Sequence, residues 1–224
     1  MENQPVSQKR KPKNPIKFQV TLNEEQKETK AAILNNKITV VKGQAGSGKS
    51  LVAAQVALDL LFRREVEKII LTRPAVTSGE EIGYLPGDKD AKLAPYTAAI
   101  YDNMYRLYSK EKIDKEITEG RIEVIPLAFM RGRNLTNSCV VVDEAQNITH
   151  RQMELLLGRI CIGTKMIVCG DVSQIDLKDR KMSGFQFLCT NFKEVPGFEV
   201  ITLKKNHRDP IVEDILKIYK EHLD

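Results

Sequence analysis

Apolar residues in this chain fall into short runs separated by helix-patterned stretches, and that alternation predicts a layered α/β domain. Ile38-Thr39-Val40-Val41, Lys68–Thr72, Arg121–Ile125, Met166–Cys169 and Phe198–Leu203 read as strands. Ser138-Cys139-Val140-Val141-Val142 has no polar alternation, as a strand buried on both faces requires. Helices are predicted from Asn23 to about Asn35, from Lys49 to about Arg64, from about Pro95 to Lys110 and from Thr149 through Leu157. Two more follow, over Gly184–Phe192 and after Asp209-Pro210. Asn23 with Gln26, and Thr149 with Gln152, have the spacing of a capping box. Asp209-Pro210 pairs a cap with a proline at the first helical position. Pro74 closes the second strand, because proline disfavours helical backbone in the residue before it. Strand, helix and strand at this spacing imply right-handed βαβ connection in a parallel sheet. The fold class expected is a three-layer α/β/α domain with a mostly parallel sheet.

The rest of the chain is loop or tail. Residues 1–17 hold three prolines and five basic residues without an apolar period, so they read as a basic disordered tail ahead of one domain over 18–224. Residues 75–90, with Gly79, Gly83, Pro86 and Gly87, read as a loop. Tyr96, Tyr101, Tyr105 and Tyr108 make the helix near 95–110 aromatic. Bases stack on such side chains, but aromatics at helical spacing more often face a core, and the core reading is favoured.

Composition narrows the function classes. The formal net charge is +5 over 224 residues, and most of it lies in residues 1–17, where Lys9, Arg10, Lys11, Lys13 and Lys17 oppose only Glu2. The body is close to neutral, so any nucleic-acid binding must rest on local patches such as Arg73 and the loop Met130-Arg131-Gly132-Arg133-Asn134. These arginines suit phosphates of RNA or of a nucleotide equally. Cys139, Cys161, Cys169 and Cys189 lack metal-type spacing and read as thiols in a reducing compartment. No run is long and apolar enough to span a membrane, and the first residues are too polar for a signal peptide; a soluble, cytoplasmic protein is expected.

The chemistry starts at Gly43-Gln44-Ala45-Gly46-Ser47-Gly48-Lys49-Ser50, set between a strand and a helix as a phosphate-binding loop requires. Glycines let the loop turn its backbone N–H groups inward, and the following helix adds the positive end of its dipole. Lys49 is placed to reach the β- and γ-phosphates, and Ser50 offers its hydroxyl to Mg²⁺. Asp143, at the end of the buried strand, suits the water shell of the same ion. Glu144 is placed to orient a water against the γ-phosphate, which favours hydrolysis over transfer to a metabolite. Gly170-Asp171-Val172-Ser173-Gln174 ends the next strand, and Gln174 is placed to sense the γ-phosphate.

Taken in order, these stretches resemble the PhoH family, ATPases whose core is related to superfamily-one helicases. The resemblance is carried by Gly43–Ser50, Arg73-Pro74-Ala75-Val76, Gly79–Asp88 and Pro126–Arg133. It continues in Asp143-Glu144-Ala145-Gln146-Asn147, Gly170–Gln174, Gln174-Ile175-Asp176-Leu177 and Asn206-His207-Arg208. It implies a single RecA-like P-loop NTPase domain, ATP and Mg²⁺ as ligands, ring-shaped hexameric homo-oligomers and a link to RNA. Some relatives carry a fused nuclease or RNA-binding domain, for which this chain has no room; its short length fits a viral version of the family. The resemblance further implies that Gln26 reads the adenine edge, in competition with its capping role, and that Arg208 is an arginine finger.

One nucleotide core cannot by itself supply two surfaces that move relative to each other. An oligomer is therefore expected in which Arg208 of one subunit faces the nucleotide of the next. The leading function is ATP hydrolysis coupled to remodelling of, or translocation on, single-stranded RNA or DNA. The alternatives are a nucleotide-state switch acting on a protein partner and, less favoured by Glu144 and Gln174, a metabolite kinase.

Overall fold

Each apolar run becomes a strand bonded only to parallel neighbours: β1 (Ile38–Gly43), β2 (Lys68–Thr72), β3 (Ile122–Val124), β4 (Ser138–Val142), β5 (Lys165–Gly170) and β6 (Phe198–Leu203). The computed structural model describes residues 16–74, 101–192 and 194–223. The tail over 1–15, the loop over 75–90, Tyr96 and the start of the helix expected near Pro95 lie outside the described residues. The sheet order is β3-β2-β4-β5-β1-β6, so β1 and β2 are separated by β4 and β5.

The strands alternate their side chains between two cores, which makes the layers. Val41, Ile69, Leu71, Cys139, Val141, Ile167 and Cys169 face one core, shared with Ile33 of α1 (Glu24–Asn35), α2 (Lys49–Phe62) and Ile113 of α3 (Lys110–Thr118). Val40, Ile70, Val140, Val142, Met166 and Val168 face the other, under Met153 and Leu156 of α4 (His150–Leu157) and Phe185 and Leu188 of α5 (Gly184–Asn191). The three-layer α/β/α arrangement with a parallel sheet is therefore the one the alternation predicts. The last helix, α6 (Pro210–Leu223), differs: Ile211, Ile215, Ile218 and Tyr219 are exposed.

Local chemistry explains the helix boundaries. Both capping boxes form: Asn23 Oδ1 accepts from Gln26 N at 2.9 Å, and Thr149 N donates to Gln152 Oε1 at 3.0 Å. One boundary differs from expectation. Residues 101–107 are helical, but the helix stops before Lys110, and α3 begins after Ser109 in extended conformation. The aromatic residues there pack on the core. Tyr101, Tyr105 and Tyr108 lie against it, Tyr108 stacks with Phe62 at 4.9 Å, and the Tyr105 hydroxyl donates to Asp114 at 2.7 Å.

Two polar ties hold the outer segments in place. Asp59 on α2 is buried between Lys30 of α1, at 2.6 Å, and Arg63, at 2.7 Å. Gln55 on α2 donates to the Val20 carbonyl at 2.9 Å, which fixes the chain entering α1. Cys139, Cys169 and Cys189 are buried free thiols and Cys161 is partly exposed. Burial pushes the Cys139 thiol up to about 12. No helix among the described residues is long and apolar enough to cross a membrane.

Candidate nucleotide-binding site

In a parallel sheet every strand points its carboxyl end the same way, and ligands bind in the crevice outside those ends. Here the turns after β1, β4, β5 and β6 converge there on a cavity of about 610 Å³, large enough for a nucleotide.

The loop after β1 supplies the floor. Gly46 and Gly48 adopt φ of +88° and +87°, a conformation that strains any other residue. A Cβ on Gly48 would also come within 2.6 Å of Gln26 Nε2. Gly48 precedes α2, whose uncapped N–H groups open toward the loop. Lys49 Nζ donates to the carbonyls of Gly43, at 2.8 Å, and Gln44, at 2.9 Å, across the loop. Val52, Ala53, Val56, Ala57 and Leu60 bury the helix behind it, so the loop is mounted on a rigid element.

The end of β4 supplies the acids. Ser50 Oγ donates to Asp143 Oδ1 at 2.8 Å. Burial pushes the Asp143 carboxyl up; the Ser50 hydrogen bond opposes this and the neighbouring Glu144 charge adds to it. A serine hydroxyl and a carboxylate side by side are hard oxygen donors, and an Mg²⁺ ion suits such a pair with waters completing its shell. The residues present therefore fit a magnesium nucleotide. Glu144 is exposed to the cavity and adopts φ of +51°, an unusual conformation for a non-glycine residue. Its Oε2 accepts from Gln146 Nε2 at 2.7 Å.

Gln146 and Asp171 tie the three turns together. Gln146 is 1% exposed, and its Oε1 accepts from Asp171 N at 3.1 Å while its Nε2 holds Glu144. Asp171 Oδ2 accepts from Ala45 N in the glycine loop at 3.0 Å, and Oδ1 accepts from Ser173 N at 2.9 Å and Ser173 Oγ at 2.7 Å. One connected network thus runs from the glycine loop to Glu144 and to the turn that carries Gln174. Sequence reasoning quoted Gln146 and Asp171 only as motif members and missed this coupling. Their signal was an aspartate directly after one buried strand and a glutamine four residues after another, where a polar side chain must find partners.

The turn after β6 closes the far side. His207 N donates to the Gly46 carbonyl at 3.1 Å, and Asn23 Nδ2 lies 3.0 Å from His207 Nε2. A Cβ on Gly46 would meet Arg208 Cγ at 2.7 Å. Arg208 thus lies over the glycine loop of its own chain and lines the cavity. The reason is topological: β6 pairs with β1, so the turn that follows β6 must run beside the turn that follows β1.

Among the other expected residues, Gln26 serves its cap and lines the cavity together. Its Oε1 accepts from Asn23 N at 3.1 Å, while its Nε2 lies beside Gly48. Gln174 lines the cavity. Arg73, Arg131 and Arg133 do not; Arg131 and Arg133 are exposed on the loop after β3, with Arg133 donating to Glu123 at 3.3 Å. Asn103 and Arg106, from the helical stretch 101–107, do line it and were not anticipated.

A parallel sheet with a glycine loop ahead of α2 and an Asp-Glu pair after β4 defines a P-loop nucleoside-triphosphate-binding fold. Within that class, the family model of PhoH-like proteins matches residues 20–220, and the chain belongs to this family. The PhoH-like protein of Synechocystis is 44% identical over 191 residues, covering 84% of this chain and 58% of the relative. The PhoH-like protein of Bacillus subtilis is 40% identical over 196 residues, 87% of this chain and 61% of that one. Protein PhoH of Escherichia coli is 37% identical over 176 residues, 77% and 49% respectively. The chain therefore spans about half to three-fifths of the length of these curated relatives. Partly similar solved structures include the Pif1 helicase from Candida albicans, with TM-score 0.48, 17% identity, and coverage of 88% of this chain and 43% of that one. Another is the Sulfolobus solfataricus SWI2/SNF2 ATPase core in complex with dsDNA, with TM-score 0.47, 14% identity, and coverage of 76% and 37%.

Proposed function

We propose that this protein binds ATP with Mg²⁺, hydrolyses it, and couples hydrolysis to work on single-stranded nucleic acid as an oligomer. The observation that carries the reading is the Ser50–Asp143 hydrogen bond of 2.8 Å, set between the Lys49 loop and Glu144. Ser50 and Asp143 would hold a magnesium ion, which when bound would supply positive charge against the phosphates. The chain's own residues do the remainder. Loop N–H groups and the α2 N-terminus cradle the phosphates. Lys49 exchanges its two carbonyl partners for phosphate oxygens. Glu144, held by Gln146, orients the attacking water and takes its proton. Gln174 and Arg208 face the γ-phosphate end, where the Asp171 network relays its presence to the glycine loop.

The seat of Arg208 over Gly46 supports action on its own chain's nucleotide, and this departs from the expectation of a finger in trans. Arg208→Ala should lower turnover by about 10³-fold or more, the effect of losing an arginine finger. Mixing Lys49→Ala with Arg208→Ala chains separates the two arrangements. No recovery of activity is expected; partial recovery would show that one subunit completes the site of another.

Support for nucleic acid is local: Arg131 and Arg133 are exposed on the loop after β3, and the basic residues between Lys9 and Lys17 precede the domain. The exposed apolar residues of α6 support self-association. They also suit the second reading, a nucleotide-state switch that docks a protein partner. Steady-state hydrolysis with and without single-stranded RNA and DNA tests the choice. One polymer should stimulate turnover, and stimulation should fall steeply as salt rises, because phosphate contacts are salt-dependent. Hydrolysis indifferent to both polymers would favour the switch.

A further inference from the structure

Behind the Ser50–Asp143 pair lies a second, much smaller cavity of about 20 Å³. Its polar wall is Ser50, Thr72, Asn103 and Asp143, and the rest is aliphatic. That volume suits one water molecule, and four polar side chains are enough to hold one. Thr72 is 1% exposed, and its Oγ1 has no hydrogen-bond partner among the described residues. Buried hydroxyls are seldom left so.

The position of Thr72 is fixed by the sheet. It ends β2 opposite Val142, and its carbonyl accepts from Asp143 N at 2.8 Å. The backbone thus clamps Thr72 beside the aspartate, and the residue lines the chamber. Asn103, like Ser50 and Asp143, lines both this chamber and the nucleotide cavity.

Building on the nucleotide-site reading, we propose that the chamber binds a single water that accepts from Thr72 Oγ1–H and donates to the Asp143 carboxylate. Thr72 is then a positioning residue. Asp143 has one oxygen on Ser50; the water holds the carboxylate plane against rotation, so that its orientation toward the ion is set before the ion arrives. Partners behind a metal ligand commonly change metal affinity about 10–100-fold when removed.

The test is Thr72→Val, which keeps the β-branched shape that a strand favours and removes the hydroxyl, with Thr72→Ser as the conservative control. The readout is the Mg²⁺ concentration at half-maximal change in fluorescence of a fluorescent ATP analogue, alongside analogue binding in EDTA and thermal unfolding. Thr72→Val should raise the Mg²⁺ midpoint about 10-fold or more, leave binding in EDTA unchanged, and leave the melting temperature no higher. Thr72→Ser should stay near wild type. A wild-type midpoint in Thr72→Val, with a raised melting temperature, would overturn the proposal, because that is the result of removing an orphan hydroxyl from a dry cavity. Wild-type protein that fails to bind the analogue with or without Mg²⁺ would overturn the nucleotide site itself. Should Thr72→Val not fold, a high-resolution crystal structure of the wild type decides between density for a water bridging Thr72 and Asp143 and an empty chamber.

Discussion

Replacing Glu144 with glutamine is expected to slow hydrolysis by about 10²–10⁴-fold, the contribution of a positioned general base, while nucleotide binding stays close to wild type. The geometry makes this a clean substitution. Glutamine keeps the length of the side chain, and its amide oxygen can still accept the 2.7 Å bond from Gln146 Nε2. It also shares whatever strain the φ of +51° imposes, a cost of about 1–3 kcal/mol at such positions. What disappears is the charge and the basicity. The loop, Lys49, Ser50 and Asp143 are untouched, and removing the neighbouring negative charge relieves one of the influences that raise Asp143. ATP should therefore bind and persist, which a filter-retention assay of labelled ATP alongside single-turnover kinetics would show. Normal turnover in Glu144→Gln would move the base elsewhere in the cavity.

That left-handed backbone also shows where sequence reading reaches its limit. Strands and capped helices were legible because they follow from nearest neighbours: Asn23 and Gln26, or Thr149 and Gln152, satisfy each other over three residues. The glycine loop was legible for the same reason, since positive φ at Gly46 and Gly48 is written in the residue type. Glu144 carries no such mark, because its conformation is imposed by the network around it. The break at Ser109 was hidden by weak patterning: α3 buries only Ile113, and Ser109 makes no side-chain cap bond. Strand order is harder still. Nothing in the run Phe198–Leu203 says that it lies against β1, yet that pairing is what seats Arg208 on Gly46. Likewise Asn103 and Arg106 reach the cavity through the packing of Met104 and Leu107 into the core, and they sit in a stretch whose tyrosines drew attention to stacking.

Lys49→Ala is expected to damage binding and turnover together, which distinguishes it from Glu144→Gln. Lys49 Nζ holds two loop carbonyls, Gly43 at 2.8 Å and Gln44 at 2.9 Å, so it braces the loop before it meets a phosphate. Alanine removes both the brace and the cation. Hydrogen bonds to a charged group are worth about 1.5–3 kcal/mol, so affinity should fall roughly 10–100-fold. Loss of charge at the transferring phosphate should cost a further 10²–10³-fold or so in turnover. Arginine should not rescue either quantity, because its rigid planar fork cannot replace a compact ammonium threaded between two carbonyls. The fold should survive, since α2 is anchored by Val52 through Leu61 rather than by its first residue. Calorimetric binding and steady-state rates on the same preparations test this directly. Wild-type affinity in Lys49→Ala with turnover lost would confine the lysine to the transition state and make the two carbonyl contacts a resting position. Wild-type affinity with wild-type turnover would reduce Gly43–Ser50 to a structural turn and move the phosphates elsewhere in the cavity.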